Sequence, residues 1–314
     1  MNRETGTGKY EELLARCKGL EPIPTAVVHP CEEMALRGAI EAQAKGLIKA
    51  ILVGPVARIR ETAQKGRIDL GQTQVVDAPH SHASADKAVE LVRLGQAELL
   101  MKGSLHTDEL LGAVIARETG LRTGRRISHV FIMDVPTYHK VLVVTDAAIS
   151  IDPTLEDKAD ICQNAIDLAL SLGVEKPKVA ILAAVETVNS KMRATIDAAC
   201  LCKMAERGQI TGGVLDGPLA FDNAISKEAA AVKGIKSEVA GDPDILLTPD
   251  LESGNILAKQ LTFLAKADSA GLVLGAKVPI ILTSRADSVR SRIASCGVAM
   301  LAAHAKRRGS PVAR

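Results

Sequence analysis

The chain has 314 residues, of which 47% are hydrophobic and only 2% aromatic, with no tryptophan and a formal net charge of +2. So few rings leave nothing for nucleobases to stack on, and the near-balanced charges offer neither a nucleic-acid stripe nor a membrane surface, so both partner classes are excluded. A chain of this length has room for two domains, and a core confined to Ala, Val, Leu and Ile suits parallel sheets under small-residue helices.

From the start of the chain, residues 1–20 are polar with no apolar signal core, and no apolar run approaches the roughly 18 residues of a membrane span, so a cytoplasmic protein is expected. Gly6-Thr7-Gly8-Lys9 imitates the end of a P-loop, but Tyr10 stands where Ser or Thr is required and no strand precedes it. Thr25–His29, Ala50–Val53, Gln74–Asp77 and Glu98–Met101 read as strands. Each precedes a helix-length stretch, namely 32–45, 56–65, 83–94 and 107–119. Strand-then-helix units at this spacing predict βαβ crossovers and a mainly parallel sheet.

The rhythm changes at Ile127. Strands 127–135 and 140–145 are separated only by Pro136-Thr137-Tyr138-His139, a gap that permits a hairpin but no crossover, so an antiparallel pair is expected there. Alternation then resumes, with strands near 179–182, 213–215, 245–247, 272–274 and 280–282 and helices between them. A helix over 190–206, rich in Ala, Cys and Met, reads as core packing. The six cysteines, Cys17, Cys31, Cys162, Cys200, Cys202 and Cys296, contain no C-x-x-C pair and no zinc-finger histidine spacing. Reduced thiols and no metal site are expected.

Polar chemistry interrupts this pattern where strands should end, which in open α/β sheets is where ligands bind. The strongest interruption is Thr283-Ser284-Arg285-Ala286-Asp287-Ser288, after the strand near 280–282 and before a long Ala-rich helix. Ser284 is placed to donate to an oxyanion, Arg285 to fork onto a phosphate and Asp287 to take a proton. The same residues are also ordinary N-cap chemistry. From Ser288 to Arg314 there is no acid, whereas Arg290, Arg292, Lys306, Arg307 and Arg308 are basic. A carboxylate base from this corner must therefore be Asp287, and the basic helix either stays solvated or attracts a phosphorylated ligand. A second pole is Lys102-Gly103-Ser104-Leu105-His106-Thr107-Asp108, in which glycine permits close backbone approach while Lys102, His106 and Thr107 supply charge and donors. Residues 216–223 and 249–255 place acids and amides at turns that are candidates for the same crevice.

These segments together resemble the phosphate acetyl/butyryltransferase family over roughly 26–303. The carriers are Met101-Lys102-Gly103-Ser104-Leu105-His106-Thr107, Ile127-Ser128-His129-Val130-Phe131, Thr145-Asp146-Ala147-Ala148-Ile149, Gly217-Pro218-Leu219-Ala220-Phe221-Asp222-Asn223-Ala224, Pro249-Asp250-Leu251-Glu252-Ser253-Gly254-Asn255 and Thr283-Ser284-Arg285-Ala286-Asp287-Ser288. The chain is most similar to the acyltransferase half found fused to enoyl-CoA hydratases, here standing alone. The resemblance implies two α/β/α domains with mainly parallel sheets, of the isocitrate/isopropylmalate dehydrogenase-like kind. Residues 1–124 with 278–314 would form a discontinuous first domain and 125–277 a second, with the active site in the cleft between them and a homodimeric assembly.

The implied reaction is reversible transfer of a short acyl group between coenzyme A and inorganic phosphate, with acyl-CoA and acyl phosphate as substrates and no permanently bound cofactor. Asp287 is implied as the base for the thiol, Ser284 as the oxyanion donor and Arg285 as the phosphate ligand. Lys102, Gly103, Ser104, His106, Thr107, Thr283, Gly254 and Asn255 are implied as substrate-binding. Two departures stand out. The acid lies three residues after Ser284, a spacing closer to the butyryl-transferring branch. Leu111 occupies the position at which many members carry a phosphate-binding Arg, leaving Lys102, His106, Arg285 or Arg125 to take that part. Rival readings are an acyl-CoA-sensing domain without catalysis and a decarboxylating dehydrogenase on the same fold. The latter would require Asp216, Asp222 and Asp250 to converge on a metal beside a nicotinamide pocket.

Overall fold

The computed structural model describes residues 8–282 and 288–309. In chain order these form α1 (Lys9–Ala15), β1 (Ile23–Val28), α2 (Glu33–Ala44), β2 (Ile48–Gly54), α3 (Val56–Lys65), β3 (Gln74–Asp77), α4 (Ser81–Arg93), β4 (Leu99–Lys102) and α5 (Thr107–Ile115). There follow β5 (Ser128–Asp134), β6 (Leu142–Thr145), α6 (Leu155–Ser171), β7 (Lys178–Leu182), α7 (Arg193–Glu206), β8 (Val214–Leu219), α8 (Phe221–Ile225) and α9 (Lys227–Val232). The last are β9 (Ile245–Leu247), α10 (Leu251–Phe263), β10 (Asp268–Leu274), β11 (Ile280–Ile281) and α11 (Val289–Arg307). The architecture is the α/β one expected, built largely on parallel strands.

Two compact units divide the chain. One takes residues 11–125, 270–282 and 288–309, and the other takes 8–10 and 126–269. In the first unit β3, β2, β1, β4 and β11 run side by side in parallel, with Thr25 opposite Leu99 and Ile281 opposite Met101. Such strands are covered on both faces, and β1 and β4 accordingly read as nearly unbroken apolar runs. Helix α11 is buried almost all round, with Ala294, Cys296, Val298, Ala299, Met300 and Ala302 fully enclosed, which explains why it is built from small residues.

One expectation fails here. A helix was expected between the strands near 272–274 and 280–282, yet only residues 275–279 connect β10 to β11, and the two pair antiparallel, Leu272 opposite Ile281. A parallel crossover needs a dozen or more residues, so a gap this short folds back on itself.

In the second unit β5 and β6 form the expected antiparallel pair, and β6, β9, β7 and β8 continue in parallel. Helix α6 begins at a reciprocal cap that its T-x-x-D spacing encodes: Thr154 Oγ1 accepts from Asp157 N at 3.2 Å and Asp157 Oδ2 accepts from Thr154 N at 3.0 Å. Asp216-Gly217-Pro218, expected at a turn, lies within β8, and the chain leaves the sheet only at Ala220. Lys9 of the false P-loop is a structural residue. Its ammonium pairs with Asp134 at 3.0 Å and donates to the carbonyls of Val135 and Tyr138.

Asp242 ties this unit together by accepting from Lys178 at 2.6 Å and His139 at 2.8 Å while pairing with Lys140 at 3.1 Å. Desolvation alone would raise its pKa, but the hydrogen bonds from Lys178, Lys140 and His139 outweigh it and hold the carboxyl well below its ordinary range. A depressed carboxyl contributes stability above its unfolded pKa of about 3.9 and loses it as pH falls. Asp242→Asn should therefore lower the melting temperature at pH 7, with a difference from wild type that shrinks below about pH 4. Differential scanning calorimetry across that range checks it, and a difference that does not change with pH would contradict the ion-pair account. Among the described residues no helix is long and apolar enough to cross a membrane.

Candidate functional site

In the first unit the carboxyl end of β4 delivers Lys102, opposite Val28 of β1 and buried to 8% exposure. Gly103 then passes so close to β1 that a β-carbon there would lie 2.2 Å from the Val28 carbonyl oxygen and 2.7 Å from that of His29. Its own amide donates to Val28 O at 2.9 Å. Only glycine fits this approach, which is the reason for the glycine that the sequence marked. Ser104 turns inward. Its amide and its hydroxyl both donate to His29 O, at 3.0 and 2.6 Å, and its oxygen accepts from Cys31 N at 3.1 Å. The Ser104 hydroxyl therefore holds the turn, while His106 and Thr107 open α5 with His106 exposed.

His29 is the anchor that sequence reasoning missed. Its backbone is left-handed, with φ of 54°, and its carbonyl receives three donors, from Cys31 N and from the amide and hydroxyl of Ser104. Its ring meets Ser84 Oγ at 3.2 Å, and that hydroxyl donates to His80 O at 2.8 Å, so the proton between the ring and Ser84 belongs to His29 Nδ1. Burial first, and Arg58 second, lower the ring's pKa and keep it neutral. A histidine after a strand gives no sequence signal for such a role, because the role lies in its backbone.

Beside β4, strand β11 ends in parallel register, with Ile280 opposite Leu100 and Ile281 opposite Met101. Thr283, Ser284, Arg285 and Asp287 lie outside the described residues. Their flanks are Leu282, whose amide donates to Gly271 O at 3.3 Å, and Ser288, which caps α11 by accepting from Ser291 N at 3.1 Å. The helix cap is thus Ser288. Leu111 sits half-buried on α5, and Arg125 is half-buried where the first unit's first segment ends.

In the second unit three of the marked segments converge. Asp146, after β6, is buried and its carboxylate accepts from the amides of Ala148, Ile149 and Ser150 at 2.9, 3.1 and 3.2 Å. Asn255, the fifth residue of α10, donates to Ala147 O at 3.0 Å. A β-carbon on Gly254 would lie 2.5 Å from Asp146 O, so Gly254 is the residue that lets α10 seat against this turn. His129 is 1% exposed in β5, and burial pushes its pKa down to about 4 against the opposing charge of Asp146. Asn223 faces elsewhere and donates to Glu186 at 3.2 Å. Asp216 accepts from Gly217 N and Asp250 caps α10. Among the described residues no three of His, Cys, Asp and Glu converge as metal ligands.

The model of the phosphate acetyl/butaryl transferase family matches residues 81–302. The chain is 64% identical to a phosphate acetyltransferase of Rhizobium meliloti over 97% of this chain and 96% of that one. It is 42% identical to a phosphate butyryltransferase of Clostridium beijerinckii over 94% of this chain and 97% of that one. In structure it resembles a branched-chain phosphotransacylase from Enterococcus faecalis, with a TM-score of 0.76 and 30% identity across 90% of this chain and 99% of the other.

Proposed function

The chain belongs to the phosphate acetyl/butyryltransferase family, and from that premise we propose how its residues carry the reaction. It is a transferase that moves an acyl group reversibly between coenzyme A and inorganic phosphate. The observation that carries the assignment of residues is one sheet edge. β4 ends in Lys102-Gly103, and the neighbouring parallel strand β11 leads directly into the segment that contains Ser284, Arg285 and Asp287.

In the direction of acyl-CoA synthesis, Asp287 removes the thiol proton of coenzyme A. A free thiol with a pKa of about 8.5 is only a few per cent ionised at neutral pH, and the thiolate is the competent nucleophile. The thiolate attacks the acyl phosphate carbonyl, Ser284 donates to the tetrahedral oxyanion, and the phosphate leaves toward Arg285. In reverse, a phosphate oxygen attacks the thioester and Asp287 returns its proton to the departing sulfur. Lys102, Gly103, His106 and Thr107 are assigned to substrate binding in the first unit, with Ser104 holding the turn that presents them, and Thr283 is assigned the same part from its place in the sequence.

Acetyl is the acyl group favoured here, because identity to the acetyltransferase of Rhizobium meliloti reaches 64% against 42% for the clostridial butyryltransferase. Thiol release from acetyl-CoA and butyryl-CoA, each with phosphate present and absent, tests both the activity and the chain length. Each methylene in an aliphatic pocket discriminates by only about 1 to 3 kcal/mol, so butyryl-CoA is a slower substrate rather than a dead one. Release that phosphate does not stimulate would refute the activity.

The reading extends to a cytoplasmic homodimer. All six cysteines are free thiols, as suits a reducing compartment. The outer face of α10 and its cap exposes Ile256, Phe263 and Leu264, at 58%, 76% and 80%. Their i, i+7, i+8 spacing makes one stripe, while Leu257 and Leu261 already pack inward on the core. An apolar stripe of this kind marks an association surface, assigned here to a second copy of the chain. Light scattering should give twice the 33.0 kDa chain mass, and Phe263→Glu should shift it toward the monomer. A wild-type monomer would refute the assignment.

A further inference from the structure

The basic residues after Ser288 do not share one fate. Arg290 pairs with Glu11 at 2.7 Å, and Arg307 forks onto Glu98 through two bonds of 2.7 and 2.5 Å. These are surface pairs. Arg292 turns the other way and is buried to 3% exposure.

Helix α2 makes room for it. A β-carbon on Gly38 would stand 2.9 Å from Arg292 Cδ and 3.8 Å from its Cβ, so the arginine stem runs along α2 at the one place where that helix has no side chain. The far wall of the space that Arg292 lines is informative. A cavity of about 160 Å³ is bounded by Arg292, Lys102, Gly103 and residues 32–35. That is several times the roughly 30 Å³ share of one water, enough for a tetrahedral oxyanion. Lys102 is the second buried cation on its wall. The start of α2 is the third contribution, since Glu32 makes no side-chain cap and the first amides of a helix have no partner within it. The two carboxylates at this helix start are exposed, and Glu33 is engaged by Arg37 at 2.7 Å.

The geometry points to Arg292 as a phosphate-binding residue that acts with Lys102 and the first turn of α2, and to Gly38 as the positioning residue that lets it reach. The inference rests on the transferase reading above. A buried guanidinium presents a rigid fork to two oxygens of a tetrahedral anion, which a lysine cannot reproduce. It also accounts for Leu111: the arginine absent from α5 is replaced from α11, by a residue whose helix begins directly after the Ser284–Asp287 segment.

The test is steady-state acyl transfer with phosphate and acetyl-CoA varied separately, on wild type, Arg292→Gln, Arg292→Lys and Gly38→Ala. Arg292→Gln should raise the phosphate KM by about 10- to 100-fold, the range of a lost charge-assisted bond, with the acetyl-CoA KM within about twofold of wild type. Arg292→Lys should fall between. Gly38→Ala should raise the phosphate KM about threefold although it removes no ligand group. A folded Arg292→Gln with wild-type phosphate KM overturns the inference. If circular dichroism shows that variant unfolded, Gly38→Ala decides: a selective rise in phosphate KM supports the inference and an unchanged value overturns it. Should wild type show no phosphate-dependent turnover, the transferase reading fails instead. The rise in melting temperature that inorganic phosphate gives wild type, present or absent in Arg292→Lys, then reads the site independently.

Discussion

Asp287→Asn should lower acyl-CoA synthesis from acetyl phosphate and coenzyme A by about 100- to 10,000-fold, the range over which a positioned base acts. Asparagine keeps the size of the side chain and removes its capacity to take a proton. The flanks of the corner are held by bonds that the substitution does not touch, the Leu282 amide to Gly271 O and the Ser288 cap on Ser291 N. The loss should therefore appear in kcat with little change in the melting temperature. A second signature separates a missing base from a damaged pocket. As pH rises through about 8.5 the thiol ionises unaided, so the gap between wild type and variant should narrow in alkaline solution. A deficit that stays constant from pH 6.5 to pH 9.5 would show that Asp287 does something other than take the thiol proton.

Gly103→Ala should cost both stability and activity. The added carbon would lie 2.2 Å from one backbone oxygen and 2.7 Å from the next, both belonging to the end of β1, so no rotamer change can relieve the clash. Either the Lys102–Thr107 turn or β1 must move. Overpacking of this kind costs about 1 to 3 kcal/mol, and each 1 kcal/mol lowers the melting temperature of a chain this size by roughly 2 to 4 °C. Because the turn carries Lys102, kcat/KM should fall at least tenfold in a protein that remains folded, the penalty of a displacement of about 1 Å at a reacting centre. The control is Gly112→Ala on α5, where nothing lies within 4 Å of the new carbon. It should be neutral or slightly stabilising, by up to about 1 kcal/mol. Equal effects at the two glycines would contradict the close-approach argument.

Much of the fold was legible because apolar runs separated by helix-length stretches admit few topologies. Strand Gln74–Asp77, helix Val56–Lys65 and strand Ile245–Leu247 fall where their hydrophobic patterns place them. The failures have local causes. Residues 275–279 were expected to conceal a helix only because alternation had been regular up to that point, and a five-residue gap allows an antiparallel return. Asp216-Gly217-Pro218 has the composition of a turn, but β8 continues through it.

The candidate site divides in the same way. Gly103 was legible because a glycine between a strand and a helix reports backbone approach. The inward course of Arg292 was not, because its sequence neighbours Arg290 and Ser291 say nothing about which face of α11 is enclosed, and its reach depends on Gly38, far away in the chain. The part of His29 was equally hidden, since a carbonyl that collects three donors leaves no trace in residue type.

The most direct test of the account is thiol release from acetyl-CoA by the wild-type chain with inorganic phosphate varied from zero to saturation. Saturable, phosphate-dependent release with formation of acetyl phosphate is the predicted result. No release at any phosphate concentration, with acetyl-CoA still raising the melting temperature, would contradict it and leave a domain that binds acyl-CoA without transferring its acyl group.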